Sequence, residues 1–170
     1  MKKWSLLTLV GADQAGIVAN VTSALAAADC ELGETSMMRM GGSFSMMLRV
    51  RHDGQDLATL LKEVCEKLNL HMHIDDDVDA NSKSAEPDVN ITVYGADRSG
   101  IVAEVTGALA SAGLNIIDLE TAMAGTADKP IYIMTIEGQA TQGVDALHEA
   151  SKTISDGVEL NISSIQTLRA

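Results

Sequence analysis

GADQAGIVANVTSALAAADCELGE, residues 11–34, is repeated further along the chain as GADRSGIVAEVTGALASAGLNIID, residues 95–118. At a constant offset of 84 and without a gap, 13 of these 24 positions are identical. A long period that occurs only twice indicates two copies of one small domain rather than a solenoid. A chain of 170 residues then holds two domains of roughly 80 residues each, small but large enough for a hydrophobic core. The expected boundaries are a domain at 1–79, a linker at 80–87 and a second domain at 88–170. The linker lies in a polar, charged stretch that ends near Pro87.

Working outward from the repeat, each half reads as strand, helix, strand, strand, helix, strand. Residues 4–10 and 89–94 are β-rich runs ending at Gly11 and Gly95. In the first helix Ile17, Val18, Val21, Leu25 and Ala28 fall on one face, and Ile101, Val102, Val105, Leu109 and Ala112 do so in the second copy. Gly113 suits a left-handed helix end, where the first copy has Asp29. Gly41-Gly42 between two strand-like runs signals a hairpin; its counterpart at 125–130 reads as a longer turn. Later helices carry Leu57, Leu60, Leu61, Val64 and Leu68, and, more weakly, Val144, Leu147 and Ile154. The last strands fall at 71–75 and 158–165. This order is the split, ferredoxin-like βαββαβ unit. The predicted class is α+β: two antiparallel four-stranded sheets, each with its helices on one face. Apolar residues fall on both strand faces, with Leu6 and Val10 opposite Leu7 and Leu9. That pattern predicts that the second face is covered as well, by the other copy or by another subunit, and hence a homodimer.

Composition excludes several functions. The net charge is −12, and both halves are acidic, so no basic arm is present to hold a phosphate backbone. Aromatic residues are only 2 % of the chain, which argues against stacking of single-stranded bases. Direct nucleic-acid binding is therefore not expected. No apolar stretch is long enough to cross a membrane, and the N-terminal run reads as a strand rather than a signal peptide. Cys30 and Cys65 match no metal-ligand spacing and read as reduced, buried thiols. Together these features point to a cytoplasmic protein.

The repeat is strongest where the first strand turns into the first helix: Gly-Ala-Asp-x-x-Gly-Ile-Val. Gly11 and Gly95 would allow a sharp turn. Asp13 and Asp97 sit where an N-cap is expected. Gly16 and Gly100 would leave the helix N-terminus open, so that its backbone N–H groups favour an anion such as a ligand carboxylate. The plainer alternative is that Asp caps the helix and Gly permits close packing. A phosphate loop does not fit, because Ile17 and Ile101 stand where its Lys belongs.

Residues 97–106, Asp-Arg-Ser-Gly-Ile-Val-Ala-Glu-Val-Thr, followed by Ala-Gly-Leu-Asn-Ile at 112–116, resemble the opening of an ACT domain. Two such copies, with the hairpin Arg39-Met-Gly-Gly-Ser-Phe-Ser-Met-Met-Leu, resemble the glycine cleavage system transcriptional repressor group. The resemblance implies a regulatory module that binds a small amino acid, glycine being one candidate. It also implies a protein partner such as a transcription activator, with no cofactor and no catalysis. It places the ligand between the loop of one copy and the start of the second strand of its neighbour. The implied ligand residues are Asp97, Arg98, Ser99, Gly100, Ile101 and Asn115, with Asp13, Gln14, Ala15, Gly16 and Ile17 in the first loop. The chain departs from the family pattern at Ala15 and Ser99, where a Pro is common, at Glu31-Leu32, where the pattern has Asn-Ile, and at Asp29. Glu31 would bring negative charge where a neutral amide is expected. A ligand-independent interaction module is the alternative function.

Other constellations are weaker. His71, His73 and Asp75 share a strand face and suit a divalent metal, but a solvated edge strand running into an acidic linker is the better explanation. His52 and His148 stand alone, and no Ser or Cys has a nucleophile's surroundings. The stretch 97–116 also resembles the N-terminal part of formyltetrahydrofolate deformylase, but two modules leave no length for a catalytic domain. The nine Met residues read as adaptable packing in an aromatic-poor protein.

Overall fold

The computed structural model describes residues 2–76, 78–79, 85–126 and 129–165. The chain divides into two compact units, 1–83 and 84–170. Unit 1 runs β1 (Lys3–Ala12), α1 (Ile17–Ala27), β2 (Glu31–Met40), β3 (Ser43–His52), α2 (Leu57–Leu68) and β4 (Leu70–Asp75). Unit 2 runs β5 (Val89–Gly95), α3 (Ile101–Ser111), β6 (Leu114–Thr126), β7 (Lys129–Ala140), α4 (Val144–Ser151) and β8 (Val158–Ser164). The strand orders are β2-β3-β1-β4 and β6-β7-β5-β8, and every pairing is antiparallel. Each unit is thus the α+β, ferredoxin-like βαββαβ fold.

One sheet face supplies the core. In unit 1, Leu7 and Leu9 of β1 and Met46, Leu48 and Val50 of β3 meet Ile17, Val21 and Leu25 of α1 and Leu57 and Leu61 of α2. In unit 2, Val89, Ile91 and Val93 with Met134 and Ile136 meet Ile101, Val105, Leu109 and Leu147. The helices therefore lie on one face, as strand alternation requires when only that face is buried. The other face keeps apolar groups in the open: Val10 and Met47 are exposed. Val18, expected on the buried stripe, is 40 % exposed. Its neighbour Ile17 is already in the core at 2 % exposed, and Val18 lies at the outer edge of the Ile17–Val21–Leu25 stripe.

Several turns have a different cause from the one the sequence suggests. Gly11 and Gly95 do not turn the chain; each is the inner edge of a strand. A Cβ on Gly11 would stand 2.7 Å from Leu70 Cδ2 and 3.0 Å from Asn69 O. Close approach of β4, not conformational freedom, demands glycine there. Gly41 and Gly42 have φ of 55° and 82°, the two positive values that a tight hairpin turn requires. Asp29 and Gly113 end their helices with φ of 57° and 84°, as expected of a left-handed cap. The longer turn expected at 125–130 is replaced by sheet: Gly125 pairs with Pro130 and Thr126 with Lys129. The intervening residues 127–128 lie outside the described ones. A bulge interrupts β2 between Leu32 and Thr35, and β6 between Ile116 and Asp118. Nothing in the alternation pattern announces it.

His52 does not stand alone. Ser5 Oγ lies 2.8 Å from Asp76 Oδ1 and 3.0 Å from His52 Nε2. A carboxylate only accepts, so the hydroxyl proton goes to Asp76 and His52 must donate through Nε2–H. The other ring nitrogen, Nδ1, is buried and without a hydrogen-bond partner among the described residues. The chain following β4 is fastened to β1 by this relay and by Val78 N–H donating to Trp4 O at 3.0 Å. Burial raises the pKa of both free thiols, Cys30 and Cys65, and Asp29 adds to the effect at Cys30.

The tightest packing constraint in unit 2 is Gly138, opposite the bulge. A Cβ there would lie 2.5 Å from Asn115 O, so backbone must move. Gly138→Ala is expected to cost roughly 1–3 kcal/mol, as overpacking does, read as a lower urea midpoint at unchanged slope.

Candidate functional site

The loop between β1 and α1 lies beside the tip of the β2–β3 hairpin. Register explains this. Gly11 pairs with Phe44 and Ala12 with Ser43, and the backbone N–H of Asp13 donates to Gly42 O at 2.9 Å. Gln14 anchors the other side of the loop, with Nε2 donating to Leu68 O at 2.8 Å. Between loop, helix start and hairpin lies a cavity of about 460 Å³. Asp13, Gln14, Ala15, Gly16 and Ile17 all line it, joined by Met37, Arg39 and Phe44. The loop residues expected from the sequence are thus brought together on one wall of a single cavity.

Asp13 does not cap the helix. The N-cap position of α1 is Gly16, at φ 91°, and no side chain caps it. The same holds for Asp97: Gly100 takes that position in α3, at φ 87°. Three extra residues of loop move the carboxylate away from the helix axis. Glycine is required here for its left-handed backbone, which L side chains rarely adopt, and not merely to clear access. Around Gly100 there is open space for a Cβ, so sterics alone would not exclude alanine. No side chain caps α1, and its first residues, Ile17, Val18 and Ala19, line the cavity at the positive end of the helix dipole.

Asp13 instead pairs with Arg39. Arg39 Nε donates to Asp13 Oδ2 at 2.9 Å, and Nη2 contacts the same oxygen. The Arg39 side chain is 65 % exposed and that of Asp13 22 %, so the guanidinium is the more accessible partner of the pair. Sequence reasoning missed Arg39, Met37 and Phe44 as site residues. The signal was present, since a tight Gly41-Gly42 turn must fold Arg39 back next to Phe44.

The second loop is differently wired. Asp97, Arg98, Ser99 and Gly100 are exposed, and Ile101 is buried under the helix. Arg98 is ion-paired with Glu104. Glu104 also accepts hydrogen bonds from Ser155 N at 2.8 Å and Ser155 Oγ at 2.5 Å. Asn115 is not near this loop within its own unit. It follows the C-terminal end of α3 while the loop precedes the N-terminal end, and 11 helical residues separate them by about 16 Å. Glu31, the matching position in unit 1, is flanked by Lys2 and Arg51, so its charge is compensated. Among the described residues no three His, Cys, Asp or Glu side chains converge to hold a metal ion. His73 Nε2 and Asp75 Oδ1 lie 3.1 Å apart on β4. No helix among the described residues is long and apolar enough to cross a membrane.

The ACT domain family model matches residues 4–75 and 88–144. The chain belongs to the ACT domain family. A UPF0237 protein, YjhC, of Lactococcus lactis subsp. lactis (strain IL1403) is 33 % identical over 81 residues, which are 46 % of this chain and 93 % of that protein. A solved structure of an unknown protein from Galdieria sulphuraria has a TM-score of 0.79 at 22 % identity, covering 98 % of this chain and 100 % of that one. A provisionally assigned glycine cleavage system transcriptional repressor has a TM-score of 0.65 at 14 % identity, covering 97 % and 99 %. At such identities the structural likeness shows a shared fold.

Both ACT units keep the glycine-led helix start and differ in the charges around it. In unit 2 the hydrogen bonds from Ser155 and Arg98 hold the Glu104 carboxyl at about 2, below its ordinary 4.5. A depressed folded-state pKa means stability that is present above 4.5 and is lost as pH falls towards 2. Glu104→Gln is therefore expected to lower stability at pH 7, and the variant and wild-type curves should converge at strongly acidic pH. Urea unfolding measured across the range checks both limbs.

Proposed function

We propose that this tandem ACT-domain protein is a regulatory sensor of a small amino acid and not an enzyme. The observation that carries the reading is the unit 1 cavity, in which opposite charges, Asp13 and Arg39, stand beside a helix N-terminus that no side chain caps. A zwitterion needs that combination: an anion for its ammonium group, and a guanidinium with backbone N–H groups for its carboxylate. Gln14, Ala15, Gly16 and Ile17 form the backbone side of the site. In unit 2 the corresponding loop, Asp97 to Ile101, and Asn115 are the counterpart positions. Glycine is a candidate effector, by the likeness to the repressor group.

Signalling would run through protein contacts, with a transcription regulator as the partner and a cytoplasmic setting. Ligand binding changes such contacts only if it favours one arrangement of the protein over another. A cavity shared by a loop, a helix and a hairpin meets that need, because the ligand touches three elements at once. Assembly as a homodimer fits the exposed apolar residues of the uncovered sheet face. Those residues, Val10, Met38, Met40 and Met47, also favour a second reading, a module that binds protein partners without any ligand.

A thermal-shift screen of the full chain against the twenty amino acids separates the two. A ligand at about 100 times its dissociation constant is expected to stabilise the fold by roughly 2.7 kcal/mol. Asp13→Asn should remove the shift and leave the melting of the ligand-free protein nearly unchanged. Silence across all twenty amino acids would leave the interaction module as the surviving function.

A further inference from the structure

The two units keep one loop but not one set of charges. The offset of 84 that aligns the loops also aligns Arg39 with Met123. The ladders agree: Arg39 pairs with Phe44 and Met123 with Tyr132, two residues along from Met37–Met46 and Thr121–Met134 respectively. Where unit 1 presents a guanidinium, unit 2 presents a thioether. Unit 2 does have a cation of its own, Arg98, at the position of Gln14. That cation is committed to Glu104, at the position of Asn20, and Glu104 is itself fixed by two hydrogen bonds from Ser155. Asn20 instead turns back, with Nδ2 donating to Gly16 O at 2.7 Å. A further difference lies in the backbone. In unit 2 the first amide of the helix, Ile101 N–H, points back to Arg98 O at 3.4 Å.

We infer that unit 1 alone binds the α-amino acid, one per chain, and that Arg39 determines specificity by reading the α-carboxylate while Asp13 takes the ammonium group. The inference rests on the sensor reading given above and goes further, since duplication by itself would provide two equal sites. Unit 2 retains the loop backbone, the left-handed glycine and Asp97, but among the described residues its loop cation, Arg98, is paired with a Glu104 that Ser155 also holds. Its loop then serves the fold, with the Arg98–Glu104–Ser155 connection bracing the start of α3 against the segment after α4. A carboxylate placed there would face Asp97 and Glu104 and would have to take Arg98 from an existing partner. The neutral Met123 offers it nothing in return. Specificity in unit 1 follows from the same chemistry. A ligand lacking the carboxylate leaves Arg39 with Asp13, and one lacking the amine leaves Asp13 without a partner once Arg39 has turned to the ligand.

The test is a titration of the ¹⁵N-labelled full chain, followed by amide chemical shifts, using each of the twenty amino acids and the α-amide of any that binds. The expected result is saturable movement of the amides of Gln14, Gly16, Val18 and Ala19, with those of Arg98, Gly100 and Val102 unmoved. The α-amide should bind at least tenfold more weakly. Arg39→Met should abolish binding, and Arg39→Lys, which keeps the charge but loses the fork, should recover part of it. Spectra of the ligand-free variants check that the fold is retained. Movement of both loops, or of the second alone, overturns the inference while leaving the sensor reading intact. So does an Arg39→Met protein that binds as tightly as wild type. No movement with any of the twenty removes the sensor reading, and the inference with it.

Discussion

Everything about the candidate site depends on the antiparallel pairing of β1 with β3. That ladder runs to the very end of both strands, with Ala12 opposite Ser43. It therefore delivers the tip of the hairpin to the point where β1 gives way to the loop. The backbone bond from Asp13 to Gly42 closes the junction, and Arg39 is carried alongside Asp13 as a consequence. Shift the register by one residue and every inward side chain of β3 would turn outward. Met46, Leu48 and Val50, all nearly fully buried, prevent that shift. The core thus holds the cavity in place, although most of the cavity's lining is not in the core.

The same dependence explains why β2 is the exposed element. It lies at the sheet edge, beyond the reach of the two helices, and every one of its residues is exposed. An edge strand with open backbone groups is a liability unless something manages it. At one end the guanidinium groups of Arg49 and Arg51 lie over the Trp4 ring, 5.1 and 5.7 Å from its centre, and Arg51 reaches Glu31 on β2 itself. At the other end Arg39 reaches back to the loop. The middle of the strand carries Met37 and Met38, flexible side chains suited to variable contacts. One side of this edge serves the cavity, through Met37 and Arg39. The other presents Met38 and Met40 to the surroundings.

Duplication makes the chain its own control. The glycine that starts each first helix, the buried stripe Ile-x-x-x-Val-x-x-x-Leu and the bulge in the following strand recur in both units. These are the features the fold cannot lose. Asp13 recurs as Asp97, but the side chains around it do not: Gln14 becomes Arg98, Asn20 becomes Glu104 and Arg39 becomes Met123. The two loops thus share their glycine-led helix start and differ in the side chains that surround it.

Much of the fold was legible in the residues themselves because periodicity is a local property. The buried faces of α1 and α3, the hairpin at Gly41-Gly42 and the left-handed ends at Asp29 and Gly113 all follow from spacing and from backbone sterics within a few residues. The loops 13–17 and 97–101 were likewise marked by their own composition. What was misread there was the cause. Asp13 is a partner for Arg39 rather than a helix cap, and Gly11 yields to β4 rather than to a turn. Both errors concern contacts with residues far away in the chain. The relay of Asp76, Ser5 and His52 and the lining by Met37, Arg39 and Phe44 belong to the same class. The sequence by itself therefore determined the elements, their order and the position of the special loop. Only the tertiary structure decided which charges meet, because the pairing of β1 with β3 brings together Asp13 and Arg39, which lie 26 residues apart in the chain.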